Sequence, residues 1–190
     1  MEINFFSFVF GFLPTRLFFS LTEKVPKFPI LIFLYFIRLL VILPKISSNK
    51  ISDIFLENKG NLPWPLDKGI IVQGFGKQQH AVFKNIETYN NGIDIATDKE
   101  AKVRAVFDGK VSRIFLIKGE GKVILINHGE YFSVYSGLKE ISVQTGEKIF
   151  AKQEIGIVMT DKNKQKTRLH FEIWKNYDKQ NPSHWLYKAH

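Results

Sequence analysis

Three short segments of the chain contain residue types that could bind a metal or transfer a proton. These segments read NNGIDI over residues 90–95, YSGL over 135–138 and RLHFEI over 168–173. Asp94 and His170 supply a carboxylate and an imidazole, and both groups are common zinc ligands. A catalytic zinc site usually has three protein ligands and an open position for water. The segments therefore contain part of the donor set of a hydrolytic zinc site.

The other residues of these segments do not complete such a site. The amide oxygen of Asn90 is a weaker zinc donor than an imidazole, and Gly137 has no side chain. Arg168 is permanently charged and cannot accept a proton, so it cannot act as a general base. On a strand, Arg168 would share a face with His170, where its charge opposes the binding of a dication. We therefore predict no catalytic residue and no metal; if a metal does bind, its ligands are Asp94 and His170.

The composition excludes several other classes of protein. The 190-residue chain has no cysteine, which excludes a disulfide framework, a thiolate zinc site and a cysteine nucleophile. The formal net charge is +9, but the basic residues form no continuous stripe. Because no nucleic-acid-binding motif accompanies the charge, we expect no nucleic-acid partner.

The elements that must position the three segments are predicted to be short strands. From residue 69 onward, apolar runs alternate with glycine turns, which is typical of an antiparallel β-sheet protein. Residues 168–175 alternate between apolar and polar side chains. Residues 122–127 are apolar on both faces and predict a central strand. The pair Asp108-Gly109 predicts a tight turn that joins its two flanking strands as a hairpin.

The N-terminal part of the chain has a different composition. Ten of the 18 Phe residues lie in residues 1–44. Residues 28–44 are apolar, are at the short limit for spanning a bilayer, and are interrupted by Arg38. We predict an apolar, membrane-associated helical segment over residues 1–44, a polar linker over 45–63 and a folded domain over 64–190.

Residues 64–187 resemble the LytM or lysostaphin-like zinc peptidase domain. The resemblance rests on the three segments above and on AVFDGKV, VILINHG and NPSHWL at residues 105–111, 123–129 and 181–186. Within this group the chain resembles the EnvC-type murein hydrolase activators, whose LytM domain is degenerate. The resemblance implies a mainly β fold, with the LytM-like (duplicated hybrid motif) antiparallel β-sheet core.

The resemblance also assigns roles to individual positions. In active members, zinc is held by the His and Asp of H-x-x-x-D and by the second His of H-x-H. The His of Y-x-H-L and the first His of H-x-H assist catalysis. By this resemblance, Asp94 and His170 keep two ligand positions, and Asn90 replaces the third ligand. Gly137 and Arg168 replace the two catalytic histidines, which implies a domain that no longer hydrolyses peptide bonds.

The resemblance further implies that the former substrate cleft receives a regulatory helix from a murein amidase, by helix-in-groove recognition. Gly137 leaves room for a partner side chain. Arg168 could pair with a carboxylate of the partner, or with Glu172 two residues along its own strand. The predicted groove residues are Asn90, Asp94, Tyr135, Gly137, Arg168 and His170.

The leading hypothesis is a noncatalytic module of the bacterial cell envelope that activates cell-wall amidases in peptidoglycan remodelling and cell separation. Peptidoglycan is a second expected partner, with membrane contact through residues 28–44 and no cofactor. One alternative is a zinc-dependent murein endopeptidase with a rearranged site. Another is a structural cell-wall-binding module that regulates no enzyme. His128, next to a predicted turn, is expected to be structural rather than a ligand.

Overall fold

The computed structural model of the chain describes residues 37–38, 50–79, 87–161 and 166–189. The chain divides into two compact units, Met1–Leu40 and Val41–His190. The strands described below all belong to the second unit. The strands are β1 (Ile70–Gln73), β2 (Gly76–Gln79), β3 (Glu87–Asn90), β4 (Ile93–Ala96), β5 (Lys102–Arg104), β6 (Gly109–Ile117), β7 (Gly121–His128), β8 (Tyr131–Ile141), β9 (Lys148–Ile149), β10 (Glu154–Val158), β11 (Thr160–Asp161), β12 (Lys166–Lys175) and β13 (Asp178–Gln180). A 3₁₀ helix follows at Pro182–His184.

Most of these strands form one antiparallel sheet. Its main order is β1-β4-β12-β8-β7-β6-β9, while β10 pairs with β5 and β8, and β11 and β13 pair with β12. Strands β2 and β3 form a separate two-stranded ribbon. The prediction of a mainly β, antiparallel fold is confirmed.

The alternation predicted for residues 168–175 places β12 between two neighbours. Leu169, Phe171 and Ile173 are fully buried in the core. The intervening positions lie on the opposite face, because successive side chains of a strand point to opposite sides. On that face His170 is paired with Asp94 of β4 and with Ser136 of β8. The same alternation that builds the core therefore aligns the polar residues of three strands.

The expected central strand is confirmed, but the expected hairpin is wrong. Residues 122–127 lie in β7, between β6 and β8. Strands β5 and β6, on either side of Asp108-Gly109, do not pair with each other; β5 pairs with β10, and β6 pairs with β7 and β9. Gly109 does not adopt a positive φ. Its missing side chain instead permits close packing, since an added Cβ would lie 2.5 Å from the carbonyl oxygen of Asn127.

The segment predicted to be a linker contributes to the core. Residues 50–57 are helical, and the ring of Phe55 is fully buried. Its centroid lies 4.8 Å from that of His128 and 5.1 Å from that of Trp185. The linker prediction over 45–63 is therefore wrong for this helix, because its aromatic residue packs into the core of the domain.

Of the predicted membrane segment 28–44, the structure describes only residues 37–38, which are helical. The apolar segment predicted over residues 1–44 otherwise lies outside the described residues. No helix in the described ranges is both long and apolar enough to cross a membrane.

Candidate functional site

Five of the six predicted groove residues line one open groove of about 600 Å³: Asn90, Asp94, Gly137, Arg168 and His170. Asn90 ends β3, and Asp94 lies in β4, the next strand along the sequence. Arg168 and His170 are on β12, and Gly137 is on β8. The antiparallel pairing of β12 with both β4 and β8 brings these residues together from distant parts of the sequence.

The sixth predicted residue, Tyr135, does not line the groove. Its side chain is fully buried, and its hydroxyl accepts a hydrogen bond of 2.9 Å from the backbone N–H of Val106. The resemblance grouped Tyr135 with Gly137, and simple alternation would also place both on the same strand face. The structure separates the two residues because the strand is irregular between them.

The irregularity is a β-bulge at Gly137. On β7, Val123 pairs with Ser136 and the preceding Lys122 pairs with Leu138, so Gly137 is the additional residue. It has a φ of +83°, and an added Cβ would lie 3.0 Å from the carbonyl oxygen of Arg168. Glycine is therefore required here by the backbone, in addition to opening space in the groove.

A continuous chain of charged hydrogen bonds crosses the groove. Asp94 contacts Arg168 Nη1 through Oδ2 at 3.1 Å and His170 Nδ1 through Oδ1 at 2.7 Å. The other ring nitrogen of the imidazole, Nε2, lies 3.2 Å from Glu172 Oε1. Glu172 Oε2 in turn accepts a hydrogen bond of 2.9 Å from the indole of Trp174. Each carboxylate oxygen of Asp94 and Glu172 therefore has a donor.

The observed ion pairs differ from the alternative in which Arg168 pairs with Glu172. Arg168 contacts Asp94, and Glu172 contacts His170. Asp94 faces His170 directly across β4 and β12 and is a diagonal neighbour of Arg168, which is within reach of a long side chain.

The two carboxylates keep His170 charged at neutral pH. Burial by itself would lower the pKa of His170, but the hydrogen bonds from its ring to Asp94 and Glu172 outweigh burial and raise the pKa to about 9. Burial would likewise raise the pKa of Glu172, whereas its hydrogen bonds with His170 and Trp174 hold that pKa below its ordinary value. The groove floor is thus a set of compensated ion pairs.

The sequence did not identify Glu172 and Trp174 as parts of this network. Their positions two and four residues after His170, on the same face of an alternating strand, were an available signal. Ile117, Glu120 and Met159 also line the groove. No local pattern marks these three residues, since only the sheet order brings them to it.

The zinc site implied by the resemblance does not fit these residues. Both ring nitrogens of His170 already face carboxylates, Asp94 at Nδ1 and Glu172 at Nε2, so neither nitrogen is left for zinc. Asp94 already binds two cationic side chains, and Asn90 Oδ1 accepts a hydrogen bond from the backbone N–H of Gly92. Asp94 and Glu172 bind opposite nitrogens of one imidazole, so the three groups do not converge on one point. In the described residues, no three His, Asp or Glu side chains form a group that could hold a metal.

The antiparallel sheet and its groove, together with the family match that follows, define a peptidase-type domain. Residues 88–182, half of the chain, match peptidase family M23. The chain belongs to this family.

Its relatives include proteins named as activators. The chain is 32% identical over 125 residues to the murein hydrolase activator NlpD of Salmonella dublin, covering 65% of this chain and 30% of that protein. It is 27% identical over 129 residues to the murein hydrolase activator EnvC of Escherichia coli, covering 67% of this chain and 29% of that protein. The resemblance to this group is confirmed, although the chain spans less than a third of either relative.

The fold also matches solved peptidase structures. A zinc-containing peptidase from Vibrio cholerae aligns with a TM-score of 0.54 and 27% identity, over 65% of this chain and 39% of that chain. The LytM-like fold is therefore confirmed.

Proposed function

We propose that this chain is a noncatalytic M23-family module that binds and activates murein amidases in the bacterial cell envelope, in peptidoglycan remodelling and cell separation. Its similarity to proteins named murein hydrolase activators supports this proposal. In the proposal, the groove receives a regulatory helix of the amidase, peptidoglycan is a second partner, and residues 28–44 contact the membrane.

The observation that carries the proposal is the state of Asp94. A hydrolytic zinc site needs this carboxylate as a ligand, together with neutral imidazoles and a proton acceptor. Here Asp94 is neutralised by Arg168 and by a charged His170. An open groove with a compensated floor suits the docking of a partner, and it lacks a group that could activate water at the former catalytic positions.

The test measures the release of soluble fragments from isolated sacculi by amidases of the same organism, with and without the full chain. We expect the chain to accelerate release by the amidase and to release nothing when it is added alone. The chain must retain residues 50–57, because Phe55 belongs to the core.

Two variants make the test specific to the groove. Arg168→Glu reverses a charge in the groove and should abolish stimulation, whereas Arg113→Glu makes the same change on an exposed position of β6 and should not. Failure to stimulate any of the amidases would contradict the proposal. Chelator-sensitive fragment release by the chain alone would instead indicate a zinc endopeptidase.

A further inference from the structure

Hydrogen-bond acceptors and donors are unequally used in the groove. Both oxygens of Asp94 and both oxygens of Glu172 already have donors. Each of these four carboxylate oxygens therefore has at least one donor. Two donor groups that line the same groove, on Asn90 and Arg168, are less fully used.

Asn90 provides one of these donors. It lines the groove and is only 6% exposed. Its Oδ1 accepts a hydrogen bond of 3.2 Å from the backbone N–H of Gly92, which fixes which end of the amide is engaged in the turn. Its Nδ2 is buried and has no hydrogen-bond partner among the described residues. A buried amide donor without a partner is destabilising, so an acceptor on a ligand would recover part of that cost.

Arg168 provides the other donors. It contacts Asp94 through Nη1 only, and its side chain is 48% exposed. A guanidinium carries five N–H donors in a planar fork. The exposed part can therefore bind a second acceptor while Asp94 stays in place.

We propose that Asn90 and Arg168 form a subsite of the groove that binds the side-chain carboxylate of a Glu or Asp on a helix of the partner protein. The inference rests on the proposed function, in that it specifies the chemistry of the docked helix. A carboxylate satisfies the buried amide and pairs with the guanidinium at once, whereas a neutral amide satisfies only the first.

The surroundings of the subsite favour an amphipathic helix as its source. Tyr89, Ile117 and Met159 provide apolar contact area along the groove, and Tyr89 is 61% exposed. Such a surface with a few polar anchors is typical of helix-in-groove recognition. Of the remaining charged lining residues, Asp161 lies opposite Lys166 across β11 and β12, and Glu120 lies in the turn between β6 and β7.

The test uses nuclear magnetic resonance on the full chain, with two side-chain mimics as probes. N-acetylglutamate N-methylamide carries only the side-chain carboxylate, and N-acetylglutamine N-methylamide is its neutral isostere. At matched ionic strength we expect the acidic probe to shift the side-chain N–H₂ signal of Asn90 and the Nε–H signal of Arg168, and the neutral probe to shift neither selectively. Equal responses to both probes, or none to the acidic one, would overturn the subsite.

Variants locate the response. Arg168→Gln removes the guanidinium, and Asn90→Asp replaces the donor with a like charge at almost the same size; both should lose the response to the acidic probe. Arg113→Gln removes the same charge from an exposed position of β6 and should retain it. A stronger response to N-acetylalanine, whose carboxylate is terminal, would overturn a helix side chain as the source.

The same variants in the sacculus assay separate this inference from the proposed function. We expect Arg168→Gln to need about tenfold more protein than the wild type for the same stimulation of the amidase, which corresponds to the loss of one hydrogen-bonded charge. If the acidic probe binds but the wild type stimulates no amidase, the proposed function fails and the subsite stands. If Arg168→Gln stimulates as well as the wild type and the probes cause no shift, the subsite fails and the proposed function stands.

Discussion

The core and the groove of this domain each hold one histidine, and the two are kept in opposite charge states. In the core, His128 is completely buried and stacks on Phe55. Its Nδ1 donates to the carbonyl oxygen of Asp108 at 2.7 Å, and its Nε2 accepts from Ser133 Oγ at 2.8 Å. Burial lowers the pKa of His128 to about 4, in spite of the hydrogen bond to Asp108.

In the groove, His170 is also partly buried, but both of its nitrogens face carboxylates. Its pKa is raised to about 9 because these hydrogen bonds outweigh burial. The difference teaches that burial alone does not set the charge of a histidine here; the type of acceptor does. The core keeps a neutral ring for packing, whereas the groove keeps a cation between two carboxylates.

The largest expected effect on stability comes from removing the Phe55 ring, which stacks on His128. Phe55→Ala should lower the free energy of unfolding by about 3–5 kcal/mol, because it leaves a cavity among His128, Tyr131 and Trp185. The measurement is equilibrium denaturation of the full chain. Leu56→Ala, on the exposed side of the same helix, is the matched control and should change stability by less than about 1 kcal/mol. Equal effects of the two substitutions would show that the helix does not anchor the core.

Acid should weaken the core through His128. An unfolded histidine has a pKa near 6.5, and the folded value is about 4. Below pH 6.5 the unfolded chain therefore binds a proton that the folded chain excludes. The stabilisation is complete above pH 6.5 and decreases by about 3 kcal/mol as the pH falls to 4.

This dependence is measured by urea denaturation across the pH range, together with the ring resonances of His128. His128→Gln should be less stable at neutral pH and should flatten the acid limb of the curve. An unchanged acid limb in this variant would assign the loss to other groups.

Restoring a histidine at position 137 should damage the groove. Gly137 has a φ of +83°, and an added Cβ would meet the carbonyl oxygen of Arg168 at 3.0 Å. We expect Gly137→His and Gly137→Ala each to lower the free energy of unfolding by about 1–3 kcal/mol. A similar loss of stability in both variants, measured by denaturation, would show that backbone strain at position 137 is the cause. A neutral effect of Gly137→Ala would mean that the bulge relaxes freely.

The smallest expected effect of a substitution concerns Glu172, whose carboxylate contacts His170 in the groove. The folded His170 holds its proton up to about pH 9, whereas the unfolded residue loses it near 6.5. Its contribution is therefore complete below pH 6.5 and is lost as the pH rises to 9. Glu172→Gln should lower the pKa of His170, cost about 1 kcal/mol at neutral pH and reduce this alkaline loss.

Titration of the His170 ring by nuclear magnetic resonance gives the direct measurement. Glu154→Gln, on the exposed pair with Lys102, is the control and should leave the pKa of His170 unchanged. If the pKa of His170 is the same in the wild type and in Glu172→Gln, Glu172 does not contribute to the network. Because the two histidines respond in opposite directions, both contributions are complete together only near pH 6.5.

Much of the fold followed from local patterns in the sequence. The alternation of β12 predicted its buried and exposed faces, since the period of two is a property of the strand itself. The run at residues 122–127 predicted a central strand for the same kind of reason. The hairpin at Asp108-Gly109 was wrong because the choice of pairing partner depends on distant strands. The helix at 50–57 was missed because the stretch was interpreted as a polar linker, although half of its residues are apolar and Phe55 packs into the core.

For the site, the sequence by itself determined which chemical groups are present: a carboxylate at position 94, an imidazole at 170, a guanidinium at 168 and no side chain at 137. Residue types decide which groups can ionise or donate, so these statements needed no coordinates. Only the tertiary structure decided which of them meet, because β12 pairs with both β4 and β8 and joins His170 to Asp94, 76 positions away. The pairing of Tyr135 with the buried Phe171, the contact of Arg168 with Asp94 and the raised pKa of His170 all follow from this arrangement. Electrostatic and hydrogen-bond energies depend on distance and burial, and the sheet fixes both.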